Sequence, residues 1–199
     1  MSVQDFQPKD FSFSEENKKE IEKILAKYPK ERKASAVMPL LTLAQKQHDN
    51  WIPKAAMTKI AEILSIPDTR VLEVATFYTM YNLEPLGKHH IQVCTNLSCW
   101  LKGADDIVKQ FEKEIGVAMG GTSEDNQFTL SYVECAGACV NAPVVQIGVD
   151  YYEDLTAEAV IQIVNELKEG KTPKAGPYSD RKCSEPAGGL TTLVEGGVA

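Results

Sequence analysis

Two stretches decide how this chain is read: HHIQVCTNLSCWL at residues 89–101 and FTLSYVECAGACVNAP at residues 128–143. Each begins as an alternating, β-rich run and delivers a cysteine at its end, Cys94 in the first and Cys135 in the second. Alternation with a period of two marks a half-buried strand. A second cysteine follows within one loop, as C-x4-C to Cys99 and as C-x3-C to Cys139. If the two strands pair as neighbours, both loops emerge side by side at the strand ends, and loops carried on a rigid sheet are where sites are built. Four thiolates are the ligand count of a structural zinc site and of a [2Fe–2S] cluster.

Spacing ranks these readings without closing the choice. Zinc knuckles favour C-x2-C, although wider spacings occur. A C-x4-C half-site is shared with the plant-type ferredoxin loop, which wraps two irons. In Ala136-Gly137-Ala138 the small side chains let backbone N–H groups point at cluster sulfides. An iron–sulfur centre is the leading reading, zinc the second, and a disulfide or free thiols the third. A thioredoxin-type dithiol needs C-x-x-C, which the sequence lacks. Cys183, remote in sequence from both pairs, reads as an unliganded thiol. His48, His89 and His90 fall outside both loops, so they offer no Rieske-type ligands there and read as surface or packing residues.

Upstream of the first strand, apolar residues recur at helical spacing. Ser14 caps a helix bearing Ile21, Ile24, Leu25 and Tyr28; Ser35 caps a second with Leu40, Leu41 and Ala44, where Pro39 is tolerable in the first turn. Pro53 opens a third helix and Pro67 a fourth, with Phe77, Tyr78 and Tyr81 read as helix core. Between the two strands, residues 103–115 read as a helix. Beyond them VVQIGVDYYED reads as a hairpin turned near Gly148 to Asp150, and Thr156 caps a last helix closed by Gly170. The order predicts an α+β (α/β-like) fold, one sheet with helices on it. Its parts are an arm and helical bundle over 1–85, the cysteine domain over 86–170, and an extended tail over 171–199. Rich in Gly, Pro, Ser and Thr, that tail should be disordered alone and ordered by docking on a partner.

Composition narrows the function classes. A formal charge of −7 argues against nucleic acid, which needs a basic face. No apolar run approaches the roughly 18 residues of a membrane span. The start, MSVQDFQPKDFSF, reads as neither a signal peptide nor an Arg-rich presequence, which suits an intracellular protein, with a bacterial cytoplasmic setting favoured, or a mature form whose leader has been removed. No G-x-G-x-x-G fingerprint is present, so NAD or FMN binding on this chain is not expected.

With these residues in view, the sequence resembles the family of the 24 kDa subunit (the E subunit, or chain 2) of respiratory NADH:quinone oxidoreductase, complex I. The matching stretches are SAVMPLLTLAQKQHDNWIP, RVLEVATFYTMYNLEPLGKHHIQVCTNLSCWL and ECAGACVNAPVVQIGVDYYEDLT, which lie within residues 35–156. The resemblance implies a helical bundle followed by a thioredoxin-like ferredoxin domain with a mixed four-stranded sheet. It implies one low-potential [2Fe–2S] cluster held by Cys94, Cys99, Cys135 and Cys139, each iron taking one loop's pair. It places FMN and NADH on a partner subunit, with the large iron–sulfur subunit as a second contact and no direct membrane insertion. The complex would sit on the inner face of the bacterial plasma membrane, or on the matrix side in a mitochondrion. The same fold and ligands would serve a diaphorase subunit of an NAD-linked hydrogenase or formate dehydrogenase; a zinc-stabilised interaction module is the remoter alternative. Ala142-Pro143 lies where thioredoxin-like folds carry a cis proline. An acidic chain with Glu134 beside a ligand also opposes adding an electron, which suits a low potential.

Overall fold

A computed structural model describes residues 7–186 and 188–189 of the chain. It divides into two compact units, Met1–Leu86 and Gly87–Ala199.

The first unit is helical: α1 (Glu15–Ala26), a 3-10 segment (Lys30–Ala36), α2 (Val37–Gln47), α3 (Lys54–Leu64) and α4 (Asp68–Phe77). Ser14 caps α1 by accepting the Asn17 N–H, and Pro53 and Pro67 stand at the N-caps of α3 and α4. Ile21, Ile24, Leu40, Leu41, Ile60 and Val71 meet in one core, the periodic faces of four helices turned on each other. Two expectations fail here. Ser35 is no cap: it lies inside the 3-10 segment, and Ala36 precedes α2. Pro39, third in α2, is tolerated because the first N–H groups of a helix have no intrahelical partner. Phe77 and Tyr78 are not core. Helix α4 ends at Phe77 and Tyr78 turns extended, so helical spacing no longer places these rings; both are exposed, whereas Tyr81 is buried and donates to the Met38 carbonyl.

The second unit is built on one sheet of order β2-β1-β3-β4-β5: β1 (His89–Cys94), β2 (Phe128–Val133), β3 (Val145–Ile147), β4 (Asp150–Glu153) and β5 (Gly176–Pro177). Strands β1 and β2 run parallel, with α6 (Ala104–Ile115) as their crossover; β3 and β4 are the expected hairpin, antiparallel to β1 and to each other. Helix α7 (Ala157–Lys168) starts at Thr156, whose hydroxyl accepts the Ala159 N–H. Ile91 and Val93, Leu130, Val145 and Ile147 form a core with Phe111 of α6 and Val160, Ile163 and Val164 of α7. A short helix, α5 (Leu97–Leu101), fills the first cysteine loop.

The expected sheet of four strands has a fifth, because β5 comes from the tail and pairs parallel with β4. The start of the tail is therefore not disordered. Tyr178 N–H donates to the Glu153 carbonyl, and Arg181 forms a largely buried ion pair with Asp154 at 2.7 Å. The rest of the expected docking tail, residues 187 and 190–199, lies outside the described residues, as do residues 1–6 of the arm.

Candidate metal centre

The parallel register sets the site. Cys94, the last residue of β1, is opposite Val133, the last of β2. The second strand thus stops two residues short of Cys135, and both loops leave the sheet at the same end. Asn96 caps α5 by accepting the Leu97 N–H at 3.2 Å, and its amide donates to Glu134 at 3.3 Å, which ties one loop to the other. A third segment joins them: the Cys94 N–H donates to the Val144 carbonyl at 3.1 Å, just past a cis Ala142–Pro143 peptide.

The four thiols share this end of the sheet in two environments. Cys94 and Cys99 are each only 2% exposed, packed with Ala104, Ala142 and Val144, whereas Cys135 and Cys139 are exposed. Cys99 has Cys94 within hydrogen-bonding reach and feels Cys139 electrostatically. Cys135 and Cys139 have their sulfurs 3.4 Å apart, well beyond the roughly 2.05 Å of a disulfide, and all five cysteines are free. This arrangement excludes the disulfide reading for the structure described. Burial pushes the Cys99 thiol up to about 12. The Gly137 N–H, helped by Cys139, lowers Cys135 instead. A buried thiol held that high is a poor free nucleophile; it becomes a thiolate when a cation takes the proton's place.

Loop conformation explains the donor at Cys135. Gly137 sits at φ +77°, where a side chain would be strained, and this turns its N–H toward the sulfur. The Tyr151 hydroxyl donates to the Ala136 carbonyl at 3.1 Å, and residues Cys139–Asn141 form one 3-10 turn. Among the described residues, no group of three or more His, Cys, Asp and Glu side chains gathers tightly enough for a single ion. The thiols stand as two pairs. On donor chemistry the residues fit a [2Fe–2S] rhomb: four soft sulfurs, two for each iron, with a backbone N–H already aimed at one of them.

Other residues fall as follows. Neither His89 nor His90 reaches the loops; they open β1, and His90 shares a 2.7 Å bond with Ser131. His48 caps the end of α2 and packs on Phe11 and Trp51. Cys183 is exposed, but its carbonyl accepts from the amide of Asn141, a residue only 3% exposed. Asn96, Val144, Tyr151 and Arg181 were not singled out from the sequence. Asn96 alone carried a local signal there, a capping residue before a short apolar run. Around the cysteines Leu97, Trp100, Leu101 and Val140 stay exposed, at 66%, 54%, 69% and 63%.

Sheet, crossover helix and paired thiols together define a thioredoxin-like ferredoxin domain, and the profile of the thioredoxin-like [2Fe-2S] ferredoxin family matches residues 21–168. The chain belongs to that family, on the branch formed by the E subunits of NADH–quinone oxidoreductase. It is 53% identical over 159 residues to the E subunit of NADH-quinone oxidoreductase from Rickettsia conorii, covering 80% of this chain and 95% of that one. It is 47% identical over 185 residues to "NADH dehydrogenase [ubiquinone] flavoprotein 2, mitochondrial" of Dictyostelium discoideum, covering 93% of this chain and 75% of the other. The fold also resembles a chain of an NAD+-reducing [NiFe]-hydrogenase in its air-oxidized state, with a TM-score of 0.57 at 17% identity. That likeness takes in 65% of this chain and 23% of the hydrogenase chain.

Proposed function

We propose that Cys94, Cys99, Cys135 and Cys139 hold one [2Fe–2S] cluster, and that the chain is the electron-transferring E subunit of an NADH:quinone oxidoreductase. The observation that carries this is the register of β1 on β2, which delivers one thiol pair from each strand to a common end of the sheet. The cluster, when bound, supplies one-electron redox chemistry at low potential. The rest is done by the chain's own residues. Cys94 and Cys99 bind in a dry pocket of Ala104, Ala142 and Val144, which keeps water from one side. Gly137 aims a donor at Cys135, and the cross-loop Asn96–Glu134 bond fixes the two loops against each other.

A single-electron carrier without its own nucleotide site needs a donor that releases electrons one at a time. The flavin of a partner that oxidises NADH is such a donor. We assign this partner as the NADH- and FMN-binding subunit, with the large iron–sulfur subunit as a second contact. The exposed apolar residues Leu97, Trp100, Leu101 and Val140 beside the cysteines form the surface offered to it. Among the described residues no helix is long and apolar enough to cross a membrane. We assign the subunit a peripheral position, on the cytoplasmic face of a bacterial membrane or on the matrix side of a mitochondrial one. Relatives of about 50% identity favour a quinone-linked complex over the hydrogenase or formate dehydrogenase alternative.

Low-temperature EPR of the anaerobically purified chain, alongside metal and sulfide analysis, tests the reading. The expected result is silence when oxidised and a rhombic spin-one-half signal after dithionite, with about two irons and two acid-labile sulfides per chain. Zinc without iron, and no signal in either state, would leave only a structural metal module.

A further inference from the structure

Within the loop Cys135–Cys139 the Gly137 N–H faces the Cys135 sulfur, and at its far end the Asn141 N–H donates to the Ala138 carbonyl at 2.9 Å. Between its cysteines it has only Ala136, Gly137 and Ala138, and one bond from Tyr151 secures its first half. The backbone just past Cys139 is gripped in addition from outside the family match, by the tail. The Arg181 guanidinium donates to the Val140 carbonyl at 3.2 Å, one residue past Cys139, and to Asp154 at 2.7 Å. The side chains of Arg181 and Asp154 are 14% and 8% exposed, so the pair is largely withdrawn from water. Asp154 also accepts from Ser179 at 2.7 Å, and its own N–H donates to the Asn141 carbonyl at 2.7 Å. The Asn141 amide closes the circuit on the Cys183 carbonyl at 2.9 Å. Tail, hairpin end and cysteine loop are one hydrogen-bonded unit, with Arg181 its only cationic member among these groups.

From this geometry we infer that Arg181 is a positioning residue for the redox centre: it clamps the Cys139 end of the second loop and sets a compensated charge beside it. The inference rests on the proposal that the four cysteines hold the cluster. Two effects separate. The bond to Val140 restrains the backbone that carries Cys139, so losing it loosens one ligand. The guanidinium also neutralises Asp154, so losing it leaves a poorly solvated carboxylate near a centre that becomes more negative on reduction.

The test uses the full-length, cluster-loaded chain and four variants: R181A, R181K, D154N and the double variant R181A/D154N. Two quantities are read, both normalised to iron content: the midpoint potential from EPR-monitored titration, and the rate of iron loss to a chelator under anaerobic conditions. R181A should shift the potential to more negative values and speed iron loss several-fold. D154N should shift the potential the opposite way. The double variant should return close to the wild-type potential while still losing iron fast, since charge balance is restored and the clamp is not. R181K should keep the wild-type potential, with iron loss between wild type and R181A. R181A matching wild type in both quantities overturns the inference. If R181A does not accumulate, R181K carries the decision, and a wild-type rate of iron loss in it overturns the clamp. A wild-type chain that binds zinc alone would fail the parent proposal, an outcome visible before any variant is made.

Discussion

At the scale of single residues, the four thiols proposed as ligands contrast with a fifth, Cys183, proposed as a spectator. Cys135 is exposed and already receives a backbone donor, so replacing its sulfur tests the proposed ligation without removing much packing. Cys135→Ser should weaken or alter the centre, because an alkoxide oxygen is a harder, poorer iron ligand than a thiolate. Iron content and the reduced EPR spectrum report it, and unchanged values in both would remove Cys135 from the ligand set. Cys183→Ser should leave both as they are: Cys183 takes part in the tail clamp through its main-chain carbonyl, which serine retains. The four thiols stand out in the sequence because tight pairs of a rare residue are a local signal, and the strand register brings the two pairs to one end of the sheet. Arg181 and Asp154 gave no such signal. They are ordinary charged residues 27 apart, and only the fold makes them neighbours.

Among the elements, what was legible depended on length. Strands β1 and β2 show alternation over six residues each, and α6 and α7 have twelve residues of helical periodicity, so all four could be read directly. Helix α5 has five residues and β5 has two, too few for any period to repeat, and both were missed. Reading Phe77 and Tyr78 as core failed for the related reason that a period stops meaning anything where the helix stops. The β1–β2 pair also makes a testable pH dependence. His90 on β1 reaches Ser131 on β2, and burial lowers its imidazole from 6.5 to about 4. Between those values the unfolded chain binds a proton that the folded chain refuses. The residue therefore costs nothing above pH 6.5, and its penalty grows as pH falls through 6.5 toward 4. The loss reaches about 3 kcal/mol at most. Urea midpoints measured across this range should fall more steeply for wild type than for His90→Asn. Parallel curves would mean that His90 is not the group responsible.

On the scale of the whole molecule, the chain exposes apolar surface beside the four cysteines proposed to hold the cluster, where an isolated protein would gain by covering it. Trp100 and Leu101 sit on α5, the helix that also buries Cys99. One element therefore points a proposed ligand inward and an apolar face outward. That coupling makes sense if electrons leave through this face, since a partner seated on α5 is brought as near to the thiols as the fold allows. It also separates binding from ligation by experiment. Trp100→Glu and Leu101→Asp replace exposed side chains and should leave iron content and the EPR signal of the isolated chain intact. Each should weaken association with an NADH- and FMN-binding subunit by at least 2 kcal/mol, roughly thirtyfold in Kd, if it strikes a central contact. Co-purification of both subunits, with titration of the loaded chain onto its partner, measures this. Full affinity in both variants would move the interface away from α5, whereas loss of the signal itself would mean that the outer face of α5 is needed to hold Cys99 in place.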